Sequence, residues 1–407
     1  MPKAYIYMEH PDTGEVLTLG RLSISNGVGE FAYDPEYVAT RGWVPDAIRF
    51  PLREQPFCGI TKNRGVPGFI NDAMPDGWGE RVLQDIHRTD LGAIDYLLKS
   101  PNNDRAGNLM AGLTRHPPVG VGREALPMLS GLAPFIEATE AIFDNQLDDE
   151  AIKTLKLRRQ RSSLGGARPK RTLQDQGVLI LVKPRDRYDA CDVPALEHAC
   201  MTFAALKGLN VAKTALYAGT PSTLLIKRFD RLPPADTGRR LPMLSALTLL
   251  DAEWKTGDHS AWVYAGLANE MKRRRVPDED LHELYRRMCF NALVGNDDDH
   301  PKNHAIIWRE KCWRLAPMYD VVPGLDGSSP PNLSMAVGRL GRMISRENLL
   351  SHCAHFALTP RQATDHLDEV ISWEQELRQH YANRLGGIEL ELALASIGTV
   401  RMRAGGF

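Results

Sequence analysis

The chain has 407 residues, and its 50 Lys and Arg against 51 Asp and Glu give a formal net charge of -1. Hydrophobic residues make up 43% and charged residues 25%, which is typical of a globular protein and excludes a disordered or fibrous chain. Such a charge gives no global attraction to nucleic acid or to an anionic membrane. The six cysteines are widely spaced, without a Cys-x-x-Cys pair, which disfavours a zinc site or a disulfide framework and predicts a reducing, cytoplasmic setting. The sequence contains no apolar run long enough to predict a membrane-spanning helix.

Short apolar runs between turn residues predict a small antiparallel sheet at the start of the chain. Its strands are expected at residues 3–8, 16–19, 20–24 and 31–33, with the second and third paired to each other. Helices are predicted at residues 78–86 and 95–99, followed by a loop at 101–107 and a strand at 109–113. A Pro/Gly-rich stretch at residues 116–122 is typical of a linker.

The rest of the chain changes from mixed to mainly helical character. Residues 134–160 carry a helical pattern that runs into a basic segment. Further on, the patterns predict a buried strand at 177–183, a helix at 194–208 and strands at 212–217 and 222–227. From residue 244 onward we expect mostly helices, interrupted by loops at 295–302 and 319–331 and by a strand-like stretch at 313–315.

A glycine-rich basic loop occupies residues 162–170. Adjacent Gly165 and Gly166 allow backbone N–H groups to approach phosphate oxygens, and serine hydroxyls and Lys170 would add donors. The segment matches neither a Walker A motif nor the Gly-x-Gly-x-x-Gly loop of protein kinases. Taken alone, the segment favours an ordinary Gly-rich basic loop over a phosphate-binding one.

Lys183 stands at the end of the apolar strand, where desolvation of its ammonium group is costly. It therefore needs an anionic partner, and Glu197 on the following helix is the predicted one. A strand Lys paired with a helix Glu is the arrangement that protein kinases use to hold ATP phosphates. The alternative is an edge-strand Lys that extends outward into solvent.

Three consecutive aspartates lie beside His300, Lys302 and Asn303 in a turn after an apolar helical run. Asp298 and Asn303 are five positions apart, as in the kinase catalytic loop, where an Asp accepts the substrate proton and an Asn binds Mg²⁺. His300 is interpreted as orienting this loop through hydrogen bonds. The alternative is a solvated acidic turn.

Asp320 is a lone carboxylate among apolar residues. Burial of an unpaired carboxylate is costly, so Asp320 is predicted to bind a cation, unless it merely caps a helix or a loop. It follows the Asp/Asn loop by about twenty residues, in the place of the metal-binding Asp of the kinase D-F-G motif. The loop, the strand Lys, the helix Glu, the Asp/Asn pair and this Asp thus follow kinase order, which favours a phosphotransferase.

The motifs resemble those of the HipA family, bacterial Ser/Thr kinases that include type II toxins. The matching segments are residues 163–170, 181–183, 227–231, 296–303 and 316–320, and residues 74–81 and 104–107 resemble the family's N-terminal subdomain. The resemblance implies an α+β, protein-kinase-like two-lobed fold with a β-rich N-terminal subdomain and a mostly helical C-terminal lobe. The expected domains are an N-terminal subdomain (1–120), an ATP-binding N-lobe (121–230) and a helical C-lobe with the catalytic loop (231–407).

The resemblance also implies a role for each matched residue. Lys183, paired with Glu197, would contact the phosphates of ATP. Asp298 would be the catalytic carboxylate, while Asn303 and Asp320 would hold Mg²⁺. The remaining nucleotide contacts would come from Ser163, Gly165, Gly166, Ala167, Lys170, His300 and Lys302, and from Lys227, Arg228 and Phe229 at the hinge beside adenine.

Regulation and partners follow from the same resemblance. Ser163 corresponds to the serine that the family autophosphorylates, with Ser162 as a second candidate, and the added charge is expected to switch the kinase off. The substrate would be a protein, with a translation factor or an aminoacyl-tRNA synthetase as candidates, and a HipB-like helix-turn-helix antitoxin is a candidate partner. Whether the chain is a toxin is left open.

Two other functions remain open at this point. One is a catalytically weak ATP-binding regulator that acts through a DNA-binding partner, and the other is a small-molecule kinase. The presence of Lys183, Asp298, Asn303 and Asp320 favours the enzyme, and the long N-terminal subdomain favours a protein target. The near-neutral charge disfavours direct DNA binding.

Overall fold

The computed structural model describes residues 2–133, 135–136, 168–217, 219, 221–234, 238–254 and 257–404. The chain forms two compact units: unit 1 is Met1–Arg187 with Lys227–Leu244, and unit 2 is Tyr188–Ile226 with Ser245–Phe407. The chain thus enters unit 1 twice, and the three consecutive domains expected from the sequence stay a prediction. The glycine-rich loop at 162–167, and the predicted helical segment at 134–160 apart from residues 135 and 136, lie outside the described residues.

A five-stranded antiparallel sheet forms the first part of unit 1. Its strands are β1 Lys3–Glu9, β2 Val16–Ser25, β3 Val28–Tyr33, β4 Phe57–Ile60 and β5 Leu109–Gly112, in the spatial order β4-β3-β2-β1-β5. The connections contain the helices α1 Pro35–Thr40, α2 Trp78–His87 and α3 Ala93–Lys99 and the short helical turns Lys62–Gly65, Gly68–Asn71 and Asn102–Asp104. Ile6, Leu22 and Phe31 are fully buried, and the Phe31 ring packs edge-to-face on Phe69 at 5.5 Å. The predicted sheet and the helices at 78–86 and 95–99 are confirmed.

The predicted pair of strands between residues 16 and 24 is wrong, because β2 runs through the whole segment. Leu19 is an extra residue opposite β1, where the register shifts at a β-bulge. Gly20 is not a turn residue either. A Cβ at this position would lie 2.3 Å from the carbonyl oxygen of Ala32, so close approach of the neighbouring strand requires the glycine.

A hairpin of β6 Arg171–Asp175 and β7 Val178–Pro184 follows in unit 1. Gln176 and Gly177 both have positive φ angles, 45° and 75°, as a two-residue type I′ turn requires. The predicted strand at 177–183 is therefore confirmed. The second segment of unit 1 joins this hairpin directly, because the backbone N–H of Arg228 donates a hydrogen bond of 2.9 Å to the carbonyl of Leu179.

Unit 2 is built mainly of helices, as predicted. In chain order its helices are α4 Val193–Leu206, α5 Ala246–Leu249, α6 Tyr264–Arg273, α7 Asp278–Val294, α8 Arg346–Leu350, α9 Pro360–Ser372, α10 Glu374–Ala382, α11 Gly387–Ala395 and α12 Thr399–Arg403. The longest of them is α7, with Leu284, Met288 and Phe290 fully buried. A core helix of this kind gives the loop that follows it a rigid base.

Two hairpins accompany these helices. One pairs β8 Thr214–Tyr217 with β9 Thr223–Lys227, whose last residue begins the second segment of unit 1. After the short strand β10 Met243–Ser245, the other pairs β11 Ala305–Arg309 with β12 Cys312–Leu315. The sequence had indicated only the second strand of that pair, at residues 313–315.

Two expectations from composition can be compared with the structure. All six cysteines are free, and Cys191, Cys200, Cys289 and Cys353 are buried. Among the helices of the described ranges, none combines the length and the apolar character needed to cross a membrane.

Candidate functional site

The loop with the three aspartates starts at a glycine that caps α7. Gly295 has a φ of 70°, in the left-handed region, and donates its N–H to the carbonyl of Asn291. A Cβ at Gly295 would lie 2.4 Å from the carbonyl oxygen of Ser396. Both the left-handed φ and the lack of space therefore require glycine, and they fix the direction in which the loop leaves the helix.

The side chain of Asn303 holds two parts of the candidate site together. Its Nδ2 lies 3.2 Å from the backbone carbonyl of Asp298 and 3.5 Å from that of Asp320. Because the NH₂ group faces these two carbonyls, the Oδ1 atom of the same amide points the other way as an acceptor. The Asp/Asn loop and the segment that carries Asp320, seventeen residues apart in the sequence, are thereby brought together.

Asp298 and Asp320 differ in exposure, and Asp320 also has an unusual backbone conformation. Asp298 is exposed and Asp320 is half-buried, with a φ of 61° that is uncommon for a residue other than glycine. Such strained residues cluster at functional sites. Burial lowers the pKa of His300, against the charges of both Asp298 and Asp320, which favour its protonated form. The two carboxylates therefore act on one imidazole.

Aromatic packing surrounds His300. Its ring meets Trp254 edge-to-face at 4.5 Å, and Trp254 stacks on Trp262 at 5.5 Å. The ammonium group of Lys302 lies 4.6 Å from the centre of the Trp254 ring, a cation–π distance. The Nδ1 atom of His300 is buried and has no hydrogen-bond partner in the part of the chain that the structure describes. The ring therefore packs on Trp254, and the predicted orientation of the loop by hydrogen bonds of His300 does not involve this nitrogen and stays a prediction.

A buried hydrogen-bond network lies behind the loop, and sequence reasoning missed it. Asp299 is 1% exposed. Its carboxylate accepts a hydrogen bond from the Tyr264 hydroxyl, and its other oxygen lies 2.9 Å from Nε2 of His304. Asn291 donates from Nδ2 to the Tyr264 oxygen at 3.1 Å. The one sequence signal was Asn291 itself, a polar residue inside an apolar helical run.

Two family models match most of the chain. The HipA-like C-terminal domain matches residues 162–377, and the HipA N-terminal domain matches residues 15–111. The chain belongs to the HipA family. The glycine-rich loop, Lys183, the Asp/Asn loop and Asp320 all fall within the first match, whereas the five-stranded sheet falls largely within the second.

Curated relatives and a solved structure agree with this assignment. The protein named "Putative kinase Y4dM" of Sinorhizobium fredii is 25% identical over 381 residues, covering 87% of this chain and 88% of that protein. "Putative kinase Y4mE" of the same organism is 25% identical over 337 residues, 76% of each chain. A chain from the complex of HipA, HipB and operator DNA of the Shewanella oneidensis MR-1 toxin–antitoxin system superposes with a TM-score of 0.69 at 17% identity, covering 98% of this chain and 97% of that one. This HipA-family chain thus has the expected α+β fold, with a β-rich N-terminal region and a helical C-terminal part, and is kinase-like.

The other predicted site residues of the HipA-family chain fall into three groups. Lys170 and Lys183 are buried in unit 1, where Lys227 and Phe229 also lie. Glu197 is buried on α4 of unit 2, so its pairing with Lys183 would join the two units and stays a prediction. Outside the described residues lie Ser162, Ser163, Gly165, Gly166 and Ala167.

The side chain of Arg228 is not available for the nucleotide contact that the sequence suggested. Its guanidinium group is buried and donates hydrogen bonds to Asp104, Thr172 and Asp230, all in unit 1. These bonds commit the side chain to the protein interior. Only the backbone of Arg228 is left for the expected nucleotide contact, which stays a prediction.

The oxygen atoms at the loop suit Mg²⁺ better than a softer metal. Asn303 Oδ1 and the Asp320 carboxylate are hard oxygen ligands, and Mg²⁺ in nucleotide sites commonly takes one or two carboxylates together with phosphate oxygens and water. In the described ranges, no three His, Cys, Asp or Glu side chains form a group that could hold a metal ion. Oxygen ligands of this kind fit a metal ion that shares its coordination sphere with a nucleotide.

Proposed function

We propose that this HipA-family chain transfers the γ-phosphoryl group of ATP to a Ser or Thr hydroxyl of a protein. The observation that carries the proposal is the Asn303 amide, which joins the backbones of Asp298 and Asp320. It joins the backbone of Asp298, whose carboxylate is exposed, to the segment that carries Asp320, and we propose Asn303 and Asp320 as the Mg²⁺ ligands. The kinase names of two relatives that cover most of the chain support the same activity.

The proposed chemistry needs few groups, because phosphoryl transfer depends mostly on positioning and electrostatics. Asp298 accepts the proton of the substrate hydroxyl as the new oxygen–phosphorus bond forms and the bond to ADP breaks. Asn303 and Asp320 would hold Mg²⁺, which when bound would neutralise charge on the phosphates. Lys183 and Lys302 supply the cations that orient the same phosphates.

Backbone geometry supports the proposed hinge for adenine. The N–H of Arg228 is bonded to Leu179. In a trans peptide the carbonyl of the preceding residue points in the opposite direction, so the Lys227 carbonyl faces away from β7. There it can accept a hydrogen bond from the amino group of a purine.

The decisive experiment compares two neighbouring aspartates. Purified protein with radiolabelled ATP and Mg²⁺ is assayed for phosphate incorporation into itself and into added protein substrates. Asp298→Asn should lower the transfer rate about 10²- to 10⁴-fold and still bind Mg·ATP. Asp297→Asn removes another exposed carboxylate one residue away and should keep the parental rate. Equal rates for the parent and Asp298→Asn would exclude this mechanism.

We further propose that autophosphorylation of Ser163, or of adjacent Ser162, switches the kinase off. A phosphate adds a charge of about -1.5 to -2 at neutral pH, which repels the phosphates of ATP or pairs with Arg168. Mass spectrometry after incubation with Mg·ATP identifies the modified serine. Ser163→Asp should then bind ATP more weakly than the matched Ser163→Ala variant, and equal affinity would contradict the switch.

The protein partners are also proposals. The related Shewanella structure contains HipA, HipB and operator DNA, which supports a HipB-like helix-turn-helix partner for this chain. We propose the cytoplasm as the setting of both proteins, because the cysteines of this chain are free. The substrate class that we propose is a translation factor or an aminoacyl-tRNA synthetase, and toxicity would follow from its phosphorylation. Co-purification of the Asp298→Asn variant with such a partner, together with loss of phosphate transfer, would separate complex formation from catalysis.

A further inference from the structure

Arg228 is the residue at which separate parts of unit 1 meet. Its Nη1 atom donates to the carbonyl oxygen and to Oδ1 of Asp104, at 2.9 and 3.1 Å, and to the hydroxyl of Thr172 at 3.0 Å. Nη2 donates to the carbonyl of Arg105 at 3.0 Å. Asp104 and Arg105 lie in the segment matched by the HipA N-terminal domain, whereas Thr172 is on β6. One guanidinium group therefore links that domain to the β6–β7 hairpin.

The carboxylate of Asp230 balances the charge of Arg228. It accepts two hydrogen bonds from Arg228, at 2.9 and 2.7 Å, one from Arg231 at 2.7 Å and one from the N–H of Gly107 at 3.0 Å. Burial opposes ionisation of Asp230, but the charges of Arg228 and Arg231 outweigh it and lower its pKa. The carboxylate is therefore ionised and fixes the same two stretches of chain, residues 104–107 and 228–231, to each other.

The backbone of Arg228 has a different task from its side chain. Its N–H binds Leu179 on β7, the strand that carries Lys183, and it directly follows Lys227 of the proposed hinge. A buried ion pair adds little net stability over apolar packing, since desolvation offsets the attraction. Its directional bonds do hold one geometry, however, where apolar groups could slide.

We propose that Arg228, anchored by Asp104, is a positioning residue through which the HipA N-terminal domain sets the geometry of the nucleotide hinge. This inference rests on the proposed ATP site. The N-terminal domain is then part of the nucleotide-binding machinery. Loosening the anchor should weaken ATP binding even though Asp104 does not itself touch the nucleotide.

The test compares Asp104→Asn with Asp34→Asn. Asp34 is a second buried carboxylate of the same domain, and its two oxygens accept from Arg115 at 2.7 and 2.9 Å. Asp104→Asn should raise the calorimetric Kd and the KM for ATP about 3- to 10-fold with kcat nearly unchanged, the pattern of lost binding without lost transition-state stabilisation. Asp34→Asn should lower stability and leave both ATP constants at the parental values.

A milder variant covers the case in which Asp104→Asn does not fold. Thr172→Val removes one acceptor of Arg228 and keeps the shape, and it should raise the Kd for ATP about 2-fold. Parental ATP affinity in a folded Asp104→Asn, or in Thr172→Val when Asp104→Asn does not fold, overturns this inference and leaves the proposed function standing. Equal weakening by Asp34→Asn also overturns it, because general loss of stability would then be the cause. A parent protein that does not bind ATP overturns the proposed function and this inference together.

Discussion

The hydroxyl of Tyr264 on α6 donates a hydrogen bond to one carboxylate oxygen of Asp299, and His304 contacts the other oxygen. Asp299 lies between exposed Asp298 and half-buried His300 in the sequence. Fixing its side chain in the core of unit 2 therefore fixes the outward direction of the residue before it. The proposed catalytic carboxylate depends in this way on a tyrosine more than thirty residues away.

Removal of the Tyr264 hydroxyl should destabilise unit 2. Tyr264→Phe leaves a buried carboxylate without one of its donors, and we expect the free energy of unfolding in urea to fall by about 1–3 kcal/mol. The control is Tyr285→Phe, whose hydroxyl donates to the neutral carbonyl of Ala363 at 3.2 Å, and it should lose only about 1 kcal/mol. If both variants lose the same free energy of unfolding, the hydrogen bond to the charged Asp299 contributes no more than one to a neutral carbonyl.

Lys183 is predicted to be needed for ATP binding. Lys183→Ala removes a buried cation at the end of β7 and should weaken ATP binding in a calorimetric titration without unfolding the protein. Lys213→Ala removes an equal charge from an exposed position and should bind ATP as the parent does. Unchanged affinity in Lys183→Ala would refute its assignment as the phosphate contact.

Asp320 is predicted to make nucleotide binding depend on Mg²⁺. The substitution of choice is Asp320→Asn, because Asn tolerates the φ of 61° that would strain Ala. It should lose most of the gain in ATP affinity that Mg²⁺ produces in the parent. Asp326→Asn changes an exposed carboxylate six residues away and serves as the control. A parental Mg²⁺ titration in Asp320→Asn would rule out the metal role.

The stability of unit 2 should fall in mild acid because of His380 on α10. Burial, together with the charge of Arg384, lowers the pKa of His380 to about 4, whereas an unfolded His titrates near about 6.5. The folded state therefore keeps this ring neutral while the unfolded chain takes up a proton. The stabilising contribution is complete above about pH 6.5 and is lost as the pH falls from there towards 4.

Urea midpoints at pH 7.5 and pH 5 test this effect of pH. His380→Gln should show a smaller loss of stability between the two values than the parent. An unchanged pH dependence in His380→Gln would assign the acid sensitivity to other groups.

Local sequence patterns predicted most secondary structure and the order of the site motifs. The strand at 177–183 and the helix at 78–86 follow from apolar periodicity over a few residues, which the chain carries wherever it folds. The strand break near Gly20 was wrong for the same reason: a glycine that makes room for the Ala32 carbonyl has the same local pattern as one that makes a turn.

Only the tertiary structure decided which of the three aspartates is buried and where Arg228 points. In the sequence Asp298 and Asp299 are equivalent, but in the structure Tyr264 and His304 contact only the carboxylate of Asp299. Arg228 turns inward to Asp104, which precedes it by 124 residues. A charged group is stable in a protein interior only when partners surround it there. Because Asp104 is distant from Arg228 in the chain, no local sequence pattern predicts the burial of Arg228.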